Sequence, residues 1–208
     1  MAINLHHQDP TDILQLAARA LDSGLNAQAV EIIEQNYPFR PVTPVKRKYT
    51  YLEQTTLFYR DGFIDRYSGR RLVFPGALRL LSRLLGSPTF SYHPNWKMDS
   101  CHQAFWELFP TVDHLEPVAR GGSNEFSNWV TTSQILNSAK SMWTIEELGW
   151  SLHPCGDLSE WDGLTDWFIR SINKNPRLLE TDPAYLKGWL KAAQTVSQLA
   201  SSGPAIES

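Results

Sequence analysis

The chain has 208 residues, of which 42% are apolar, 20% charged and 12% aromatic. That composition excludes a disordered chain, and no apolar run approaches the ~18 residues a membrane-spanning helix needs. Two cysteines, Cys101 and Cys155, are too few for a disulfide framework or a four-cysteine zinc staple. The formal net charge of −3 hides an asymmetry. Residues 1–39 carry one cation against five acids (−4), and residues 40–97 carry eleven against three (+8). Residues 98–150 return to −5 and 151–208 to −2. A localised positive surface attracts polyanions; the competing reading is a solvated charged face. The first nine residues lack the basic and apolar regions of a secretion signal, so a cytoplasmic protein with no membrane partner is expected.

In chain order, Thr11-Asp12 opens an apolar pattern at helical spacing that Ser23-Gly24 ends. A second helix is predicted from Ala27 to Gln35, making an N-terminal helical hairpin over 1–39. Its negative charge suits a homodimer or a protein partner better than DNA, with ordinary core packing as the alternative. Pro38, Pro41 and Pro44 make an extended stretch leading into Lys46-Arg47-Lys48, with 40–48 a basic Pro-rich linker whose cations are read as a phosphate clamp or as solubilising charge. The Tyr-, Thr- and Phe-rich stretch from Tyr49 to Phe63 predicts a short β element and a turn at Asp61-Gly62.

Pro75 to Leu85 reads as a helix with Gly86 after its end and Arg79 and Arg83 on one face. Residues 87–97 are loop-like, and 101–109 hold a short helix. Beyond Gly149 the chain turns helical again, from Trp161 to Asn173 and from Asp182-Pro183 to about Leu199. A frayed tail is expected over 201–208.

The stretch from Val112 to Ser141 carries the chemistry. Val112 and Pro117 bracket a short strand holding adjacent Asp113 and His114, which face opposite ways if the strand is regular. Gly121-Gly122-Ser123-Asn124 makes a turn, and Asn128-Trp129-Val130-Thr131 reads as a second strand. Thr132 or Ser133 can cap a helix presenting Asn137 and Lys140 on one face. The predicted unit is strand, loop, strand, helix.

This pattern resembles the HNH endonuclease family. The likeness rests on Asp113-His114, on Pro117 and on Gly121-Gly122. It continues with Asn128, Asn137 and Lys140 at 14, 23 and 26 residues after His114. The same register occurs in the HNH domain of RNA-guided CRISPR nucleases. The likeness covers about 30 residues, with a looser one from Phe63 to Trp150. It implies an α+β fold: a ββα-metal core (109–143) within a nuclease domain (49–150), embedded in a mostly helical protein with a C-terminal helical segment (151–200). The two Cys-x-x-Cys pairs of many relatives are missing, so no structural zinc is expected, and Trp106, Trp129, Trp143 and Trp150 are candidates for the core.

The resemblance implies a divalent-metal-dependent endonuclease that hydrolyses DNA phosphodiesters to 3′-hydroxyl and 5′-phosphate ends, nicking one strand per site. A role in restriction or phage defence is one biological setting for it. His114 would be the general base, since an imidazole titrates near neutrality. Asp113 and Asn137 would hold one Mg²⁺ or Mn²⁺ through oxygen. Asn128 would bond backbone across the loop and keep His114 oriented. Lys140 and Arg120 are candidate phosphate contacts. Arg66, Arg70 and Arg71 are DNA-backbone contacts or structural ion-pair partners. Glu116 is a weaker candidate ligand, and His93, His102, Cys101 and Cys155 lack standard zinc spacing. Trp161, Trp167 and Trp189 are expected in the core, with base stacking as the alternative. The competing function is a non-catalytic HNH-fold module that binds DNA or protein.

Overall fold

The computed structural model describes residues 9–39, 41 and 48–202. The readings on most of the linker, including Lys46 and Arg47, and on residues 203–208 lie outside the described residues. The chain divides into two compact units, Met1–Thr43 and Pro44–Ser208. Among the described residues no helix is long and apolar enough to cross a membrane.

The first unit is the predicted hairpin, α1 (Pro10–Asp22) and α2 (Asn26–Asn36). α1 starts one step earlier than expected, because the Asp9 carboxylate accepts the Thr11 N–H at 2.8 Å and Pro10 fits the first helical position. Ile13, Ala17, Ala20 and Ala29 are buried, whereas Leu14, Leu16 and Leu21 face solvent. Three alanines form the centre of the seam, with Ile32 and Ile33 packed against them.

The second unit is built mainly of helices around one antiparallel ribbon. Its helices are α3 (Tyr51–Arg60), α4 (Pro75–Leu85), α5 (Ala104–Glu107), α6 (Gln134–Lys140), α7 (Thr165–Lys174) and α8 (Pro183–Ser202). The ribbon pairs β1 (Pro110–His114) with β2 (Trp129–Ser133), in a register running from Pro110 opposite Ser133 to His114 opposite Trp129. α6 packs on both strands, α3 touches both, and α8 packs across α3, α4 and α7. The segment after Gly149 shares the core of the unit. Trp189 and Phe168 are sealed among Phe58, Phe74 and their neighbours, and Trp161 donates its indole N–H to the Leu72 carbonyl at 2.7 Å.

The expected β element at 49–63 is instead α3. Thr50 and Glu53 form a reciprocal capping box: Thr50 Oγ1 accepts the Glu53 N–H, and Glu53 Oε2 accepts the Thr50 N–H. Thr55 and Thr56 donate their hydroxyls to carbonyls one turn back, and Leu57 and Phe58 enter the core. Start signal and burial override the β preference of the composition. The turn that follows is tight. Gly62 has φ +64°, and a Cβ there would collide with the Gly156 backbone.

Two carboxylates in the loop after α3 fix β2. Asp61, fully buried between Arg60 and Arg66, accepts the Thr131 N–H at 2.7 Å. Asp65 accepts the N–H groups of Tyr67, Ser68 and Ser133 and the Thr132 hydroxyl. Asp65→Ala therefore strands several buried donors and is expected to cost about 3 kcal/mol or more in urea unfolding. Asp157→Ala, at an exposed turn, should stay within about 0.5 kcal/mol.

Candidate active site

β1 ends on Asp113 and His114, and α6 begins at Ser133, whose side chain accepts the Leu136 N–H as the predicted cap. These elements bring Asp113, His114 and Asn137 onto one cleft of about 290 Å³, with Val118 and Met142 also on its wall. Although Asp113 and His114 are adjacent on a strand, whose side chains alternate, both line the cleft at the end of the two-stranded ribbon.

Asp113 is almost buried. Its Oδ2 accepts the Tyr67 hydroxyl at 2.7 Å and lies 3.1 Å from Lys140 Nζ, while Oδ1 has no partner among the described residues. Asn137 donates Nδ2 to Thr111 Oγ1 at 3.0 Å and to the Val112 carbonyl at 3.1 Å. That bonding leaves its Oδ1 without a partner among the described residues. Two oxygen donors on one cleft wall are a donor set that a hard divalent cation accepts. Among the described residues no group of three His, Cys, Asp or Glu is placed to hold a metal.

His114 is 2% exposed. Its Nε2 lies 2.8 Å from Asn124 Oδ1 and 3.4 Å from the Tyr49 hydroxyl. An amide oxygen only accepts, so this contact suits the tautomer with the proton on Nε2. Neither Asn124 nor Tyr49 stood out in the sequence. Asn124 sits in the Gly-Gly loop, ten residues from His114, and Tyr49 comes from the residues preceding α3.

Asn128 bridges the loop as expected. Its Oδ1 accepts the Glu116 N–H, and its Nδ2 donates to the carbonyls of Glu116 and Ser123, all within 2.9 Å. Gly122 is required here, because a Cβ would run into the Glu116 carbonyl. Glu116 itself is exposed and absent from the cleft wall.

The expected phosphate contacts fare unevenly. Lys140 is fully buried, with Nζ donating to the His114 carbonyl at 2.7 Å and pairing with Asp113. It has no surface to offer a phosphate, and its role here is to hold the end of β1. Arg66 is likewise drawn inward, bonding the His153 carbonyl at 2.6 Å and Asp61 at 3.0 Å. Arg120 pairs with Glu147 on the surface, which raises its own pKa and lowers that of Glu147. Arg70 and Arg71 are exposed; Arg70 has Glu107 at 3.9 Å, and Arg71 lies over the Trp161 ring at 5.5 Å. Among the tryptophans, Trp129 is buried and Trp143 is 52% exposed, so Trp143 is not core. His102 stacks on Phe90 and accepts the Ala104 N–H, and His93 accepts the Asn95 N–H, so both shape local loops.

Burial, the Asp113 charge and the hydrogen bond to it push the Tyr67 phenol far above its ordinary range. Comparison with protein-family models, curated proteins and solved structures finds no match.

Two outcomes are expected. Lys140→Met leaves the Asp113 carboxylate buried without its cation and should cost about 3–5 kcal/mol, read by chemical denaturation. A phenol whose pKa is raised in the fold stabilises fully below its unfolded value and loses that contribution as pH climbs past it. Wild type should thus exceed Tyr67→Phe by about 2 kcal/mol near neutrality, and the gap should narrow above about pH 10.

Proposed function

We propose that the chain is a divalent-metal-dependent endonuclease of the HNH type, cutting one strand of DNA per site. The observation carrying this reading is the convergence of Asp113, His114 and Asn137 on one cleft. Asp113 Oδ1 and Asn137 Oδ1 would hold a Mg²⁺ or Mn²⁺ ion. That ion supplies Lewis-acid stabilisation to the scissile phosphate and the departing 3′ oxygen.

The side chains divide the remaining work. His114, held at Nε2 by Asn124, would take the proton of the attacking water as general base. Asn128 holds the loop that carries Asn124, so the imidazole keeps one orientation. Tyr67 and Lys140 tie Asp113 Oδ2, which fixes the carboxylate with Oδ1 as its remaining donor.

A second reading, a non-catalytic module, draws on the same pair. The Lys140 ammonium already balances the Asp113 charge, which weakens the pull on a divalent ion. Metal-dependent turnover separates the two.

Supercoiled plasmid should be nicked with Mg²⁺ or Mn²⁺ and left intact with EDTA. His114→Ala should lose at least about 10²-fold in rate while keeping its fold. Asn137→Ala should need more metal for the same rate. Nicking by His114→Ala at the wild-type rate would sink the assignment of the base.

A further inference from the structure

A second polar cleft, of about 390 Å³, lies where α4 meets the loop 86–100. Arg79 and Arg83, one helical turn apart on α4, line it with Ser82, Ser87, Ser91 and Tyr92. Arg79 is 9% exposed yet fixed in place. Its guanidinium lies 3.8 Å over the Tyr92 ring, and its Nε donates to Asp182 Oδ2 at 2.7 Å. The two terminal nitrogens of that guanidinium, carrying four N–H donors, have no hydrogen-bond partner among the described residues, and they are not sealed from solvent. Arg83 reaches the same Asp182 oxygen at 3.5 Å, and its side chain is 40% exposed.

Two guanidiniums therefore share one carboxylate, and the cleft keeps an excess positive charge. A buried arginine held by stacking and by its Nε presents its remaining donors as a preorganised fork, the geometry that matches tetrahedral oxyanions. The hydroxyls of Ser87 and Ser91, 2.9 Å apart on the opposite loop, add groups that can donate to or accept from the same ligand. We propose that this cleft is a phosphoryl-binding site, independent of the nuclease reading and built from residues that do not belong to the Asp113–His114 cleft. The phosphoryl group comes from a nucleic-acid backbone or from a free phosphate compound.

Titration calorimetry of the full chain with inorganic phosphate, against chloride at equal ionic strength, tests it. Saturable binding is expected, weakened at least about ten-fold in Arg83→Gln and in Arg79→Lys, which keeps charge but loses the fork. Arg83 is half-exposed, so Arg83→Gln keeps the test valid even if Arg79→Lys perturbs the fold. A duplex oligonucleotide added in competition displaces phosphate if the source is a backbone, and leaves it bound if the source is a free phosphate; both results support the site. No saturable phosphate binding, or equal affinity in wild type and Arg83→Gln, overturns it.

Discussion

A two-stranded ribbon is marginal in water because both of its outer edges carry backbone donors and acceptors with no neighbouring strand. Here side chains and loop backbone take the place of the missing strands. On the β2 edge, Asp61 and Asp65 accept the Thr131 and Ser133 N–H groups, the Arg66 N–H donates to the Thr131 carbonyl, and Arg60 caps the Trp129 carbonyl. On the β1 edge, Asn137 and Lys140 donate to the carbonyls of Val112 and His114. The alternation of outward-facing groups along each strand matches the register, with Val112 opposite Thr131 and His114 opposite Trp129. The ribbon is held open-edged with these edge groups satisfied, and Asn137, which lines the cleft, helps to fix its end.

That arrangement ties structure and chemistry together in α6. Asn137 uses its amide nitrogen on the strand and keeps its oxygen for the cleft. Lys140 uses its ammonium on both the His114 carbonyl and Asp113. Seen from the fold, Lys140 offsets the burial of a carboxylate, since a lone charge at 7% exposure would be expensive. Seen from the site, the same contact balances the Asp113 charge and, with Tyr67, occupies Oδ2 and leaves Oδ1 as the oxygen without a partner among the described residues. Shape and reactivity at Asp113 cannot be altered separately.

Spacing made much of this legible. α4 runs from Pro75 to Leu85 and Ser133 caps α6 as read, because proline at the helix start and a hydroxyl before an apolar run are local signals. α3 was misread because its start depends on a Thr50–Glu53 exchange, while its composition favours strands. The partners of the site residues were illegible for a different reason. Tyr67 meets Asp113 across 46 residues and Tyr49 meets His114 across 65, so no window of sequence contains either pair. The loss of Lys140 and Arg66 from the surface has the same origin, since a cation reads as exposed until the buried carboxylate that faces it is known.

The basic block makes the point quantitative. Its charge of +8 is a property of the sequence, whereas a polyanion feels only the cations left at the surface. Arg60 and Arg66 are engaged with Asp61, and Arg79 and Arg83 share Asp182. Lys48, Arg70, Arg71, Arg83 and Lys97 are the described cations of the block that are exposed, and Arg70 has Glu107 nearby. Each phosphate neutralised by a protein cation contributes about 0.9 to the salt slope of duplex binding, so five such contacts give a slope of about −4.5. A slope that small means a weak grip by the described cations of this block at physiological salt. Strand engagement by the proposed nuclease then has to draw on the clefts as well as on these few described cations.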